Sequence, residues 1–214
     1  MRPAVETIAV IDFETTGGVP AQGDRPTEVA IVLLQGGRVV DRFQSLMRTG
    51  VPIPSFIVGL TGITQAMADA APPAEQVMAE ASRFVGSAPM VAHNAGFDRK
   101  FWAAELARLG LAAAQPYACT VLLSRRLYPE APNHKLGTLA AYHQIRPSGN
   151  AHRALVDAEM TAELLARIQH DLRALHGIAE PDHALLMALQ QCSKQTLPRW
   201  LAARSKAMCG ASRT

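Results

Sequence analysis

Four acidic residues and one histidine occupy three short segments of this 214-residue chain. Asp12 and Glu14 end a strongly apolar segment, and Asp98 follows a second apolar segment. His152 precedes Asp157 by five positions. Unpaired carboxylates destabilise a hydrophobic core, because burying charge costs free energy. Carboxylates that meet from distant segments usually hold Mg²⁺ or Mn²⁺, and a pair of such ions commonly serves to cut phosphodiesters.

The local pattern predicts how these side chains are presented. The β-branched, apolar segment from Thr7 to Thr15 predicts a buried strand. Side chains alternate along a strand, so Asp12 and Glu14 should project from the same face. On a helix, five positions would separate His152 and Asp157 by about 140°. Both reach one site only if His152 lies in the loop before a helix, where a histidine side chain suits proton transfer from water.

Each of these residues has a simpler interpretation when it is taken alone. Asp98 could be a first-turn acid favoured by the helix dipole, Asp157 an exposed helix acid, and Glu14 an edge-strand charge. A lone histidine is usually a surface or capping residue, which is our interpretation of the other six histidines. Glu28 on the second strand is expected to be solvated or to support the site indirectly. The joint occurrence of all five residues, each near the end of an element, favours the metal site.

Periodicity and turn residues predict the remaining elements. Two further strands, Thr27 to Gln35 and Arg38 to Met47, flank a Gly-Gly hairpin signal. The segment from Val51 to Ala71 is expected to be loop-like at first. Helices are predicted over 74–85, 98–109, 121–127, 136–143 and 154–175, and short strands over 89–93 and 117–120. Strands first, then alternating helices and strands, predict an α/β sheet with helices on both faces, with α+β as the other option.

Composition agrees with an ordinary globular enzyme, since 49% of the residues are hydrophobic and 18% are charged. No apolar run approaches the roughly 18 residues that span a bilayer. The first predicted strand begins close to Met1, which leaves no room for a signal peptide. The three cysteines show no metal-type spacing, and we expect free thiols. A cytoplasmic protein without a membrane partner is therefore expected.

The net charge of +3 is unevenly distributed along the chain. From Pro181 onward, five basic residues (Lys194, Arg199, Arg204, Lys206, Arg213) stand against the single acid Asp182. This basic segment suits a polyanion partner, but a solvated helix face explains it equally well. The predicted division is a catalytic domain over 1–178 and a basic helical C-terminal extension over 179–214.

Three motifs carry a family resemblance. D-F-E-T-T-G begins at Asp12, H-N-A-G-F-D ends at Asp98, and H-R-A-L-V-D runs from His152 to Asp157. Together they resemble the DEDDh 3′→5′ exonucleases, the family of the proofreading epsilon subunit of bacterial DNA polymerase III and of RNase T. The resemblance covers roughly residues 5–175. It implies an RNase H-like fold, a mixed five-stranded sheet flanked by helices.

The resemblance also implies roles for individual residues. Asp12, Glu14 and Asp157 would bind one metal ion, and Asp12 would bridge to a second ion held by Asp98 directly or through water. Both ions would be Mg²⁺ or Mn²⁺, and His152 would be the general base. The positions that match family contacts to the terminal nucleotide are Thr15, Thr16, Leu60, Thr61 and Asn94. Thr61 stands where the polymerase subunit often has histidine, and threonine neither stacks nor carries charge.

The sequence therefore predicts a two-metal 3′→5′ exonuclease that releases nucleoside 5′-monophosphates from DNA. A 3′→5′ exoribonuclease acting on RNA ends is the alternative, and a non-catalytic nucleic-acid-binding scaffold is a less favoured one. The expected partners are single-stranded or 3′-terminal DNA, or RNA. The segment from Gln195 to Trp200 faintly resembles peptides that bind the bacterial sliding clamp, which leaves clamp or polymerase association open. The alternative is that this segment packs onto the body through its leucines and Trp200.

Overall fold

The computed structural model describes residues 5–149 and 152–210, and the side chains of 206–210 are not among the described parts. Arg213 of the basic segment lies outside the described residues, as do positions 150 and 151, which precede His152 in the sequence. The side chains of Lys206 and Cys209 lie outside them as well.

A mixed five-stranded sheet forms the centre of the fold, in the order β3-β2-β1-β4-β5. Strand β1 (Thr7–Thr15) pairs antiparallel with β2 (Pro26–Gln35), which pairs antiparallel with β3 (Arg38–Leu46). On its other side β1 pairs in parallel with β4 (Met90–Ala92), and β4 pairs in parallel with β5 (Tyr117–Cys119). The predicted sheet is therefore confirmed, and the carboxyl ends of β1, β4 and β5 meet at one end of it.

Helices flank this sheet on both faces. In chain order they are α1 (Ser55–Thr61), α2 (Gln65–Asp69), α3 (Ala74–Val85), α4 (Gly96–Arg108), α5 (Thr120–Leu127), α6 (Leu136–Tyr142), α7 (Ala154–His176), α8 (His183–Gln191) and α9 (Leu197–Gly210). A short 3₁₀ turn also lies at Pro20–Gln22. The helices predicted from periodicity lie within two residues of their expected bounds. Among the described residues, no helix combines the length and apolarity needed to cross a membrane.

The expectation of a loop-like start to Val51–Ala71 is confirmed for residues 51–54. Helices α1 and α2, which occupy much of the remainder, were not predicted. A proline and a glycine of this segment mark helix ends. Pro54 stands at the N-cap of α1, and Gly62 ends that helix in the left-handed conformation at φ 72°. Thr64 then caps α2, since its Oγ1 accepts a hydrogen bond from the Met67 amide at 3.2 Å.

Alternation along β1 divides the core into two parts. Ile8 and Val10 face a cluster that includes residues of α7 and α8. Ile11 and Phe13 face a second cluster, which includes residues of α3 and α4. Since side chains alternate, the next even positions in β1 place their carboxylates on the α7 side, at the carboxyl end of the sheet.

The C-terminal helices pack onto the same core as the rest of the chain. Leu186 and Leu189 of α8 are fully buried, and Leu197 and Leu201 of α9 join them. Packing was one of two interpretations of this segment, and it is confirmed. Leu197 begins α9 within the clamp-like segment, and its side chain is only 9% exposed.

Helix α8 also closes the open side of β5. The Gln190 side chain accepts a hydrogen bond from the Cys119 amide at 2.8 Å. Its Nε2 donates to the Tyr117 carbonyl at 3.3 Å. One side-chain amide thereby satisfies backbone groups at both ends of this strand.

Candidate active site

The carboxyl end of the sheet gathers the predicted catalytic residues. Glu14, His152 and Asp157 each offer a ligand atom, and these three atoms lie within 4.8 Å of one another. Asp12 is two positions before Glu14 on β1 and projects from the same face. The strand and the start of α7 therefore supply one shared cluster of polar groups.

Asp98 joins this cluster through a backbone hydrogen bond. Its Oδ1 accepts from the Phe13 amide at 3.2 Å, and Phe13 lies between the two acids of β1. Strand β4, which pairs with β1, ends at Ala92, so it offers no carbonyl to this amide. Asp98 lies in the first turn of α4 and is only 2% exposed. The Asp98 carboxylate thus provides the acceptor for a β1 amide beyond the end of β4.

His152 lies in the loop immediately before α7, as the five-residue spacing predicts. Its backbone is in the left-handed region, with φ 61°, and its amide donates to Asp157 Oδ2 at 3.1 Å. Asp157 is in the first turn of the helix. The imidazole is exposed. A hydrogen bond from the loop to the helix therefore holds an exposed histidine beside a carboxylate.

Glu28 was expected to be solvated or to support the site indirectly; it is fully buried, so the first role is excluded, and it supports the site by anchoring the His152 loop. It pairs directly opposite Glu14 in the β1–β2 ladder. Arg153 donates to its two oxygens from Nε at 3.1 Å and from a terminal nitrogen at 2.8 Å. The first amide of α7, from Ala154, donates at 3.1 Å, and Gln44 of β3 donates at 2.8 Å. Four hydrogen bonds therefore tie β2, β3 and the start of α7 to one carboxylate.

The site holds more buried negative charge than its own cations compensate. Burial raises the pKa of Asp12, and the charges of Asp98, Asp157, Glu14 and Glu28 raise it further. Burial, then the charges of Asp157 and Glu28, raises the pKa of Glu14 to about 7. Burial raises the pKa of Asp98 to about 8 and also raises that of Asp157. Crowded oxygen donors of this kind fit a divalent cation, which would stabilise their charged forms.

Glu28 behaves differently from its neighbours. Burial acts to raise its pKa, but hydrogen bonds from Arg153, Gln44 and Ala154 outweigh that effect and lower it. The hydrogen bonds occupy both oxygens of this carboxylate. It is therefore an ionised support, and the four predicted metal-binding acids remain the candidate ligands.

The residues predicted to contact the terminal nucleotide divide into two groups. Leu60 and Asn94 are exposed, and Asn94 has a left-handed φ of 67°. The other three have buried hydroxyls that bond within the protein. Thr15 donates to the Gly17 carbonyl at 2.6 Å, Thr16 accepts from the Arg25 amide at 3.0 Å, and Thr61 donates to the Ile57 carbonyl at 2.9 Å. These hydroxyls shape the loops at the site.

A buried ion pair, missed in the sequence, connects one of these loops to the helix of Asp98. Arg25 donates to both oxygens of Glu105 on α4, at 2.7 Å each. The Arg25 amide also donates to Thr16 Oγ1, and the Arg25 carbonyl accepts a hydrogen bond from the Thr16 amide. Arg25 and Glu105 are 7% and 3% exposed. Because the partners are 80 residues apart in sequence, no local pattern indicates them.

His93, in the second motif, has a structural role and does not contact the cluster. Its Nδ1 lies 2.9 Å from Thr120 Oγ1, and its Nε2 lies 3.0 Å from the His134 carbonyl. Burial lowers its pKa to about 4. The ring therefore stays neutral near pH 7 and links the end of β4 to the loop before α6.

Comparison with known proteins identifies the family of the chain. The sequence profile of the exonuclease family RNase_T matches residues 9–165. PolC-type DNA polymerase III of Halalkalibacterium halodurans is 40% identical over 163 residues, which cover 76% of this chain and 11% of the polymerase. The Bacillus subtilis PolC-type polymerase is 38% identical over 168 residues, covering 78% of this chain and 12% of that protein. The chain thus spans about an eighth of the length of these relatives.

A solved structure with lower sequence identity shows the same fold. Exonuclease X, in complex with 5′ overhanging duplex DNA, is 30% identical with a TM-score of 0.66. The match covers 84% of this chain and 99% of Exonuclease X. Enzymes of this family use divalent metal ions, in agreement with the crowded carboxylates. The chain has an RNase H-like fold and belongs to the RNase T family of exonucleases.

Proposed function

We propose that the chain removes nucleotides from the 3′ end of DNA, with two Mg²⁺ or Mn²⁺ ions, and releases nucleoside 5′-monophosphates. The observation that carries this proposal is the cluster of Glu14, His152 and Asp157 atoms within 4.8 Å, next to Asp12. Asp98 supports it through its hydrogen bond with the Phe13 amide. Metal-dependent phosphodiester hydrolysis requires negatively charged ligands for the cations and a base that deprotonates water, and these residues offer both.

DNA is preferred over RNA as the substrate for two reasons. The relatives described above are DNA polymerases, and Exonuclease X was solved with duplex DNA. The matched part of the polymerases is about an eighth of their length, so the proposal concerns hydrolysis by this chain alone. Association with a polymerase or a sliding clamp stays a separate prediction.

In this mechanism Asp12, Glu14, Asp98 and Asp157 would hold the two ions. When bound, the ions would lower the pKa of water and stabilise charge on the leaving 3′-oxygen. His152 takes the proton from the attacking water, which its exposed position allows. The bond from phosphorus to the 3′-oxygen of the preceding nucleotide breaks, and the terminal nucleotide leaves with a 5′-phosphate. The hydrogen bond from His152 to Asp157 orients the loop during this transfer.

Hydrolysis of matched 5′-labelled substrates tests the proposal. Single-stranded DNA, duplex DNA with a recessed 3′ end, and RNA of the same sequence should be compared in Mg²⁺, in Mn²⁺ and in EDTA. We expect stepwise shortening from the 3′ end in metal alone, fastest on DNA, with 5′-monophosphates as products. Faster cleavage of RNA than of DNA would identify RNA as the preferred substrate. Binding of any of these substrates without cleavage in Mg²⁺ or in Mn²⁺ would indicate the non-catalytic scaffold.

The variant Asp12→Ala tests the proposed metal site. The variant should lose activity by several orders of magnitude, because Asp12 is proposed to bridge both ions. It should melt at the same or a higher temperature without metal, because burial and then the neighbouring charges disfavour the ionised Asp12 carboxylate. Activity and thermal melting in EDTA measure the two effects. Wild-type activity would remove the proposed role, and a large loss of metal-free stability would assign Asp12 to the fold.

A further inference from the structure

A group of basic residues lies on the segments that follow β5 and α8. It consists of Arg125 on α5, His134 and Lys135 before α6, and Lys194 between α8 and α9, and we call it the basic surface. The side chains of Arg125, Lys135 and Lys194 are exposed. Burial lowers the pKa of His134, and the charges of Arg125 and Lys194 lower it further. Two cations from different segments therefore stand near the same imidazole.

The basic surface is connected directly to the active-site end of the sheet. His93 begins the turn after β4, and Asn94 follows it in the chain. The two ring nitrogens of His93 contact Thr120 Oγ1 and the His134 carbonyl, at 2.9 and 3.0 Å. His134 is therefore held against the residue that precedes Asn94, a proposed contact of the terminal nucleotide.

Further hydrogen bonds fix the segments that carry these cations. Arg126 donates to the carbonyls of Cys192 and Gln190, at 2.5 and 3.4 Å, and so attaches the segment before Lys194 to α5. Ser124 Oγ lies 3.0 Å from His134 Nδ1. Since α5 holds both neighbouring segments, the basic surface is preformed.

The charge of this region is strongly biased. The sequence contains no acidic residue after Asp182. Over positions 120–135, Glu130 is the only acid, against Arg125, Arg126 and Lys135. The positive charge of the basic surface does not favour binding of a metal ion there. It favours an extended polyanion that passes from the basic surface to the carboxylate cluster.

We propose that the basic surface binds backbone phosphates of the strand being digested, upstream of its 3′-terminal nucleotide. This inference rests on the proposed function, because a strand whose 3′ end occupies the carboxylate site must leave across neighbouring protein surface. Phosphate contacts hold a strand independently of its sequence, as an exonuclease requires. The basic surface thereby assigns a role to Lys194 of the C-terminal segment, beyond the packing of its helices.

The test compares two triple variants of exposed basic residues. Arg125→Ala, Lys135→Ala and Lys194→Ala remove the basic surface. Arg38→Ala, Arg83→Ala and Arg173→Ala remove the same charge at the opposite end of the sheet, near the β2–β3 hairpin and the ends of α3 and α7. Fluorescence anisotropy with single-stranded DNA of about 30 nucleotides, in Ca²⁺ across a salt series, gives the affinity and its salt dependence.

The basic-surface variant should bind more weakly, and its salt slope should be shallower by about 0.7 for each phosphate that it no longer neutralises. In Mg²⁺ its loss of kcat/KM should increase with substrate length from a trinucleotide to the long strand. The opposite-end variant should match the wild type. Equal slopes for the wild type and both variants would overturn the proposal. A wild type that cleaves nothing would overturn the proposed function instead, while the binding slopes would still decide the role of this surface.

Discussion

At the scale of single residues, His152 holds a left-handed backbone conformation at the site, with φ 61°. A non-glycine residue in the left-handed region costs about 1–3 kcal/mol and persists only where its surroundings hold it. Here the Asp157 carboxylate accepts the His152 amide, and Arg153 is fixed on Glu28. The strained conformation directs an exposed imidazole toward the carboxylates, which agrees with its proposed role as the base.

Removing the His152 imidazole should slow the reaction without preventing metal binding. We expect His152→Ala to lower kcat by about 10²-fold or more, the usual loss on removing a general base. Its affinity for Mn²⁺ should change little, because four carboxylates remain. His170→Ala, at an exposed histidine of α7, is the matched control. Loss of Mn²⁺ binding in calorimetry would identify His152 as a ligand and not as the base.

His93 should make the fold sensitive to acid. Its pKa is lowered by burial from 6.5 to about 4, so the unfolded chain takes up this proton more readily than the folded protein. The stability that neutral His93 contributes is complete above about pH 6.5 and is lost as the pH falls toward 4. Thermal melting over this range should show a smaller decline for His93→Gln than for the wild type. Parallel declines would show that His93 does not contribute.

At the scale of elements, the Glu28 carboxylate acts as a junction. It receives hydrogen bonds from β3 and from the start of α7, while its own strand pairs with the metal-binding strand β1. Two like charges opposite each other in a ladder are ordinarily unfavourable, and Arg153 compensates for them here. The junction therefore sets how far the His152 loop stands from β1.

Weakening this junction should affect catalysis more than folding. We expect Glu28→Gln to lower activity or metal affinity by about 10- to 100-fold, the usual effect of removing a group that orients metal ligands. The bidentate ion pair with Arg153 would no longer form, although the side chain keeps its shape. Glu163→Gln, at an exposed position of α7, is the control. If both variants had wild-type kcat in Mg²⁺ and equal melting temperatures, Glu28 would have no role in positioning.

The elements show which features a single sequence reveals. Local patterns predicted the strand of Asp12, the helix of Asp157 and the loop of His152, because alternation and five-residue spacing are properties of neighbouring residues. The ion pair of Glu28 with Arg153 was not predictable, since the two residues are 125 positions apart and no local pattern connects them. Helices α1 and α2 were not predicted because the prolines at the start of their segment indicated a loop, whereas Pro54 and Gly62 mark the two ends of α1.

At the scale of the whole molecule, the C-terminal helices are part of the folded core. Leu189 of α8 is fully buried, and Leu175 at the end of α7 is 72% exposed. Leu189→Ala should therefore destabilise the protein by about 2–5 kcal/mol in urea unfolding, and Leu175→Ala should have little effect. Equal urea midpoints for Leu189→Ala and Leu175→Ala would contradict this packing. Point variants are consequently better tests of the basic segment than truncation after Glu180, which would expose the same leucines.

The hydrogen bonds between Gln190 and β5 have a consequence for association. An edge strand with free amides and carbonyls is a template for strand addition, domain swapping and aggregation. Gln190 occupies such groups at Tyr117 and Cys119, the two ends of β5. A strand-donating partner would have to displace α8 before it could extend the sheet there. The other edge strand, β3, exposes Arg38, Asp41 and Arg42, and such charges discourage strand addition at that edge.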